Sequence, residues 1–233
     1  MERAFRHELK HRLTQAEADA LARRLRLVLP RDPNSGERGY RVTSLYFDDP
    51  YDRALTEKLE GIGRREKLRL RRYGDDFERI RLERKSKVAD LGTKERVELT
   101  REQARAVIAG DPDVLLGSER PFARELALTM RVRRLRPSVV VAYDRTAFAC
   151  APGNVRVTLD ARLRASCDER AFLAVDPLMV PVDPGFVTLE VKWDRFLPDY
   201  VAASLQLAGR RHGAHSKYAA CRTLLGAPTQ GDK

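Results

Sequence analysis

The sequence predicts an α+β fold built on about eight mostly antiparallel strands, with amphipathic helices interspersed. Three observations carry this. Six stretches set charged or polar residues on alternate positions: Arg6-Glu8-Lys10-Arg12, Lys67-Arg69-Arg71, Arg79-Arg81-Glu83-Lys85-Lys87, Lys94-Arg96-Glu98, Arg156-Thr158-Asp160 and Glu190-Lys192. Strand side chains alternate between faces, so each stretch gathers its polar groups on one side and leaves residues such as Leu68, Leu70, Ile80, Leu82, Val97, Leu189 and Val191 on the other. Short turn signals separate the stretches, and no repeat or Ser/Pro-rich linker divides the chain.

The elements follow in order. A strand from Arg3 to Leu13 runs into a helix that Thr14 starts, with Glu17 at the capping-box position and Ala20, Leu21, Leu25 and Val28 as its apolar stripe. Pro30 to Gly39 reads as a loop, Tyr40 to Asp48 as a strand and Pro50 to Glu57 as a short helix. Strands are expected at Arg64 to Tyr73, Phe77 to Lys87 and Lys94 to Leu99, the first two joined by a Gly74-Asp75-Asp76 turn. Thr100 with Gln103 opens a second helix, and Ser118 opens a third that carries Phe122, Leu126 and Met130. Further strands run from Ser138 to Phe148, Asn154 to Leu163 and Phe186 to Asp194. Pro198 starts one C-terminal helix and Ser216 caps another that ends at Gly226. The expectation is one domain over residues 1–226 and a disordered tail over 227–233.

Charge narrows the function. The chain of 233 residues carries a formal net charge of +11 with a pI near 9.9, which calls for a polyanionic partner. It holds 36 Arg against 9 Lys. Seven of those few lysines (Lys10, Lys67, Lys85, Lys87, Lys94, Lys192, Lys217) fall in the alternating strands or at a helix start, a placement suited to compact phosphate contacts. Cys150, Cys167 and Cys221 are far apart, which argues against a disulfide framework or a cysteine metal site and for a reducing cytoplasm. The first residues lack an apolar signal segment, and no run reaches membrane-spanning length. Charged strand faces suit either an open sheet wetted on one side or a closed sheet with a polar lumen and helices outside.

The order of the motifs is informative. Glu8-x-Lys10, Lys67-x-Arg69-x-Arg71, Glu83-Arg84-Lys85, Lys94-x-Arg96, Tyr143-Asp144-Arg145-Thr146-Ala147-Phe148, Arg156-Val157-Thr158-Leu159-Asp160, Leu189-Glu190-Val191-Lys192 and Ser216-Lys217-Tyr218 succeed one another from Phe5 to Leu225. This set resembles the VTC catalytic domain, the polyphosphate-polymerase branch of the triphosphate tunnel metalloenzymes and a relative of the CYTH phosphatases. The resemblance implies an eight-stranded antiparallel β-barrel, a tunnel with flanking helices. In that family the terminal phosphate of ATP passes to a growing polyphosphate chain. Carried over by motif, Lys10, Arg69, Arg71, Lys85, Lys94, Arg145, Arg156, Lys192 and Lys217 would grip phosphate. Lys67, Glu83, Arg96, Ser216 and Tyr218 would line the substrate, while Glu190 and Glu8 would hold Mn²⁺ or Mg²⁺. CYTH phosphatases resemble an ExExK pattern on the first strand; here its first position is Arg6, which favours the polymerase branch.

Single residues support the same reading. Glu190 could be a strand-surface glutamate paired across the sheet, but its motif favours metal. Lys217 at a helix start opposes the helix dipole, a conflict that a bound anion would remove. His7 and His11 are expected on the apolar side of the first strand, His212 and His215 in a loop, and Trp193 in packing. Clustered like charges suggest that losing Arg69 or Arg71 leaves stability unchanged or raises it. An inorganic triphosphatase and a non-catalytic polyphosphate-binding module use the same residues. Nucleic-acid binding is disfavoured, since the basic strands carry few aromatics for stacking. The expected partners are ATP and polyphosphate or triphosphate. The family's fused members carry membrane helices that this sequence lacks, so a separate membrane-protein partner at the inner face of the membrane is a further expectation.

Overall fold

The computed structural model describes residues 7–88, 91–205 and 216–226. Arg6, His212, His215 and the tail from residue 227 lie outside the described residues. The chain forms two compact units, one of Met1–Arg41, Tyr143–Leu163 and Pro181–Ser216, the other of Val42–Ala142, Arg164–Val180 and Lys217–Lys233.

In the first unit β1 (His7–Thr14), β9 (Phe186–Trp193), β7 (Val155–Ser166) and the second half of β6 (Arg136–Cys150) lie side by side. Register fixes which residues share a face. Across β1, β9 and β7, Glu8 faces Lys192 and Arg156, Lys10 faces Glu190 and Thr158, and Arg12 faces Thr188 and Asp160. The alternate positions, Leu9, Leu13, Val187, Leu189, Val191, Val157 and Leu159, meet helix α1 (Gln15–Val28) through Leu21 and Leu25 and helix α5 (Asp199–Leu205) through Val201 and Leu205. Each leucine so buried contributes about 1.5 to 3 kcal/mol. Helix α1 starts where the sequence places it, because Thr14 Oγ1 accepts from Glu17 N and Glu17 Oε2 accepts from Thr14 N.

The second unit repeats the plan. Its strands run from the first half of β6 through β2 (Tyr40–Asp48), β3 (Arg64–Tyr73) and β4 (Ile80–Val88) to β5 (Leu91–Leu99). Leu45, Phe47, Leu68, Leu70, Ile80, Leu82, Val97 and Leu99 form the apolar face. Helix α3 (Arg101–Ile108) covers it with Ala104 and Val107, and helix α4 (Pro121–Val132) with Ala123, Leu126, Ala127 and Met130. Thr100 and Gln103 make the expected capping box. Helix α4 starts two residues later than expected, since Pro121 takes the first helical position and Ser118 Oγ accepts from Arg120 N ahead of it. Helices α2 (Arg53–Leu59) and α6 (Lys217–Leu224) complete this unit.

The α+β class and the antiparallel sheet match the expectation. Nine strands are present among the described residues, the extra one being the two-residue β8 (Val180–Pro181) on β7. Among the described residues the ladder of the first unit ends at β1 and that of the second at β5. No helix among the described residues is long and apolar enough to cross a membrane.

Candidate functional site

Each unit presents a polar sheet face opposite its helices, and the candidate residues on the strands fall on these two faces, while Ser216, Lys217 and Tyr218 lie at the start of α6. On the second unit's face the rungs read Lys67, Lys85, Lys94; then Tyr46, Arg69, Glu83, Arg96; then Ser44, Arg71, Arg81, Glu98. The centre is Glu83, 1% exposed. Arg69 Nε and Nη2 donate to its Oε2 at 2.9 and 2.7 Å, and Lys94 Nζ lies 2.5 Å from Oε1. Burial alone would raise the Glu83 carboxyl, but Arg69, Arg71 and Lys94 hold it down at about 2. Arg69 Nη1 also donates to the Tyr46 hydroxyl at 3.0 Å, and Arg71 Nε to Ser44 Oγ at 3.0 Å. Tyr46 is pushed up by burial, yet Arg69, Arg71 and Lys217 bring it below the usual phenol range.

Tyr218 is deeper than a ligand contact would be. It is 2% exposed, its hydroxyl donates to Asp48 Oδ2 at 2.5 Å, and its ring packs on Tyr46 with centroids 4.8 Å apart. Asp48 in turn accepts from the backbone N–H of Asp49, Ala54 and Leu55 at the start of α2. Arg222 bonds Asp52 at 2.5 Å. These contacts seat α6 and thereby Lys217 at its first position, while Ser216 immediately precedes the helix.

The first unit's face holds a different balance of charge. Lys192 Nζ lies 2.6 Å from Glu190 Oε1 and 3.6 Å from Glu8 Oε1, and Lys10 Nζ lies 2.8 Å from Glu8 Oε1. Arg145 Nε and Nη2 grip Asp160 at 2.6 and 2.8 Å, with Nη2 3.9 Å from Glu190 Oε2. Arg156 Nε is 2.9 Å from Asp32 Oδ2, and its Nη2 donates to the Tyr40 hydroxyl at 3.0 Å. Burial opposes ionisation of Glu190, but a hydrogen bond with Glu8 and the charges of Lys192, Lys10 and Arg145 hold its carboxyl well below the usual range. The Arg145 guanidinium is held charged against the effect of its burial, chiefly by Asp160.

The carboxylates of Glu8 and Glu190 fit a divalent cation. Both reach one ammonium, that of Lys192, so their oxygens already converge on a positive charge. Hard oxygen donors suit Mg²⁺ or Mn²⁺, which keep waters and take phosphate oxygens beside one or two carboxylates. Among the described residues no group of three or more His, Cys, Asp or Glu gathers for a metal, so such an ion would depend on water and phosphate for its remaining ligands.

Several partners have no role assigned from the sequence: Asp160 behind Arg145, Asp32 and Tyr40 behind Arg156, and Tyr46 and Asp48 behind Arg69 and Tyr218. Asp160 alternates with Arg156 on the same strand, which was the available signal. His11 is buried on the apolar side and Trp193 packs against the core, as expected, whereas His7, expected on the apolar side, is exposed and stacks on Trp193 at 5.2 Å.

A helix-backed antiparallel sheet with cations and a few carboxylates on its polar faces defines a class built for a multivalent anion. The VTC domain family model matches residues 5–225, and the chain belongs to that family. No curated protein matches it in sequence. Among solved structures it is similar to HpAC1 from Hippeastrum, an adenylyl cyclase candidate with a dominant triphosphatase activity, at 16% identity and a TM-score of 0.52 over 94% of this chain and 96% of that one. It is also similar to the PH1819 protein from Pyrococcus horikoshii OT3, at 14% identity and a TM-score of 0.48 over 95% and 98%.

Proposed function

We propose that this protein is a polyphosphate polymerase-like phosphotransferase, passing the terminal phosphate of ATP to a polyphosphate chain. Family membership supports the reading, and the observation that carries it is the cation face around Glu83. There Arg69, Arg71 and Lys94 surround a single carboxylate, with Lys67, Lys85 and Arg96 on the same face. That excess of positive charge matches the spread of charge over phosphoryl oxygens in transfer, where positioning and neutralisation do most of the work. Lys217 would add a charge from the start of α6, with Ser216 beside it, and Tyr218 would act by seating Lys217. In the first unit Lys10, Arg145, Arg156 and Lys192 would bind phosphate oxygens, with Arg145 oriented by Asp160. Glu8 and Glu190 would hold a divalent ion, Mn²⁺ or Mg²⁺, which when bound would neutralise phosphate oxygens. In the reaction the bond from the terminal phosphorus to the ADP oxygen breaks and a bond to the chain's end oxygen forms.

A second reading is inorganic triphosphate hydrolysis, with water as acceptor; the similar Hippeastrum protein has a dominant triphosphatase activity. The same residues serve it. Incubation with ATP and Mn²⁺ followed by sizing of the products separates the readings. Long phosphate chains with ADP are expected; free phosphate from triphosphate alone favours hydrolysis, and no turnover with tight binding leaves a binding module.

A further inference from the structure

Lysine is scarce here, yet three of the chain's nine share one rung. Lys67 faces Lys85 across β3 and β4, and Lys85 faces Lys94 across β4 and β5. Like charges placed directly opposite each other destabilise an antiparallel pair. On the same face the next rung in one direction, Arg69, Glu83 and Arg96, holds a carboxylate, whereas the next in the other direction, Arg65, Lys87 and Gly92, holds none.

The groups around Lys67 come from five elements. On β3 they are Arg65 and Arg69, on β4 Lys85 with Lys87 and Glu83 on the flanking rungs, and on α2 Lys58. On β2 they are Tyr46 and Asp48, and on α6 Lys217 and Tyr218, over whose ring Lys67 Nζ sits 4.7 Å from the centroid. Glu83 is engaged by Arg69 and Lys94, and Asp48 by Tyr218 and the start of α2. Burial first, and then Lys58, Arg65, Lys85 and Arg69, press the Lys67 ammonium down to about 7. Near neutrality its amine is therefore poised between two charge states.

We propose that Lys67 is a proton-accepting phosphate contact: an anionic phosphate group arriving at the Lys67, Lys85 and Lys94 rung draws a solvent proton onto the Lys67 amine, making binding and proton uptake one event. The inference rests on reading this face as a phosphate site. An anion beside the rung offsets the crowding of positive charge and so favours the ammonium form. The only bond formed is N–H, and the proton comes from water or buffer. Affinity then weakens as pH rises above neutrality. Arginine at this position would carry the same charge at every relevant pH and exchange no proton.

Calorimetric titration with inorganic tripolyphosphate tests this, at pH 7 with divalent ions chelated, in two buffers of different ionisation enthalpy. Wild type is expected to take up about half a proton more per ligand than Lys67→Arg, since a group with a pKa of about 7 is half-charged at that pH. The ligand's own ionisation is common to both proteins and cancels. Equal proton uptake with binding intact overturns the inference and leaves the phosphate reading standing, whereas no tripolyphosphate binding to wild type overturns both. If Lys67→Arg does not fold or bind, lysine-side-chain NMR on wild type decides. A resonance titrating near neutrality that moves upward with tripolyphosphate supports the proposal, and one that stays in place overturns it.

Discussion

Arg69 and Glu83 stand opposite each other on β3 and β4, and two guanidinium nitrogens bond the same buried carboxylate oxygen at 2.9 and 2.7 Å. Repulsion among clustered cations alone predicts that Arg69→Ala is neutral or stabilising. The geometry gives the opposite sign. Removing Arg69 strips a buried carboxylate of its bidentate partner, a loss of about 3 kcal/mol even with Lys94 still in place. Arg71→Ala, which loses hydrogen bonds to Ser44 Oγ and Tyr73 and one of the charges that support Glu83, should cost less, about 1 to 2 kcal/mol. Urea unfolding of the two variants distinguishes them, and an Arg69→Ala protein as stable as wild type would refute the structural role.

The same carboxylate sets an acid limit. Its pKa is depressed in the fold, to about 2 from an ordinary 4.5, so its contribution is complete above pH 4.5 and disappears as pH falls through about 2. The linked loss is on the order of 3 kcal/mol. Glu83→Gln should flatten this part of the stability profile. Unfolding free energies measured between pH 5 and 2 that keep the wild-type slope in the variant would show that another group is responsible.

Gly39 should not tolerate a side chain. Its φ is +75°, and a Cβ there would lie 2.3 Å from the carbonyl oxygen of Arg145. Gly39→Ala therefore combines backbone strain with a clash against β6 at the residue whose guanidinium holds Asp160. A loss of more than about 3 kcal/mol is expected, together with weaker phosphate binding. Thermal unfolding checks it, and a variant within 1 kcal/mol of wild type, as the usual surface change is, would contradict it.

What the sequence made legible follows from periodicity. Tyr40–Asp48 and Arg64–Tyr73 begin and end where alternation and turn residues place them, and Thr14 and Thr100 cap as their Glu17 and Gln103 partners require. Alternation also separated Arg69, Arg71 and Glu83 from Leu68, Leu70 and Leu82 correctly, because a period of two leaves each residue one face. Partner choice was hidden. Nothing local ties Tyr218 to Asp48, which is 170 positions away, or Arg156 to Tyr40, 116 away. The late start of α4 was missed because Ser118 is a good cap in isolation, whereas Pro121 decides where helical backbone can begin.

Tyr218→Phe isolates the seating of α6. It deletes the hydroxyl that donates to Asp48 at 2.5 Å and keeps the ring against Tyr46. Asp48 still accepts three backbone N–H groups, so the loss should be about 1 to 2 kcal/mol. If the tyrosine positions Lys217, tripolyphosphate affinity falls with stability. Unchanged affinity in a destabilised variant would confine Tyr218 to the fold.

The carboxylate pair and the cation face can be separated by ligand-linked stability. Whatever binds only the folded state adds RT ln(1 + [L]/Kd), about 2.7 kcal/mol at 100 Kd. Wild type should gain this from tripolyphosphate without metal, and a further increment when Mn²⁺ is added. Glu190→Gln keeps the shape but removes the ionised carboxylate that lies 2.6 Å from Lys192, so it should keep the first increment and lose the second, along with Mn²⁺-dependent turnover. The loss of Arg69 or Lys94 should instead lower the metal-free increment, because their charge faces the anion directly. Melting curves at fixed ionic strength, with tripolyphosphate alone and with added Mn²⁺, read both increments. A Glu190→Gln protein that retains the full Mn²⁺ increment would place the metal elsewhere and remove Glu190 and Glu8 from its coordination.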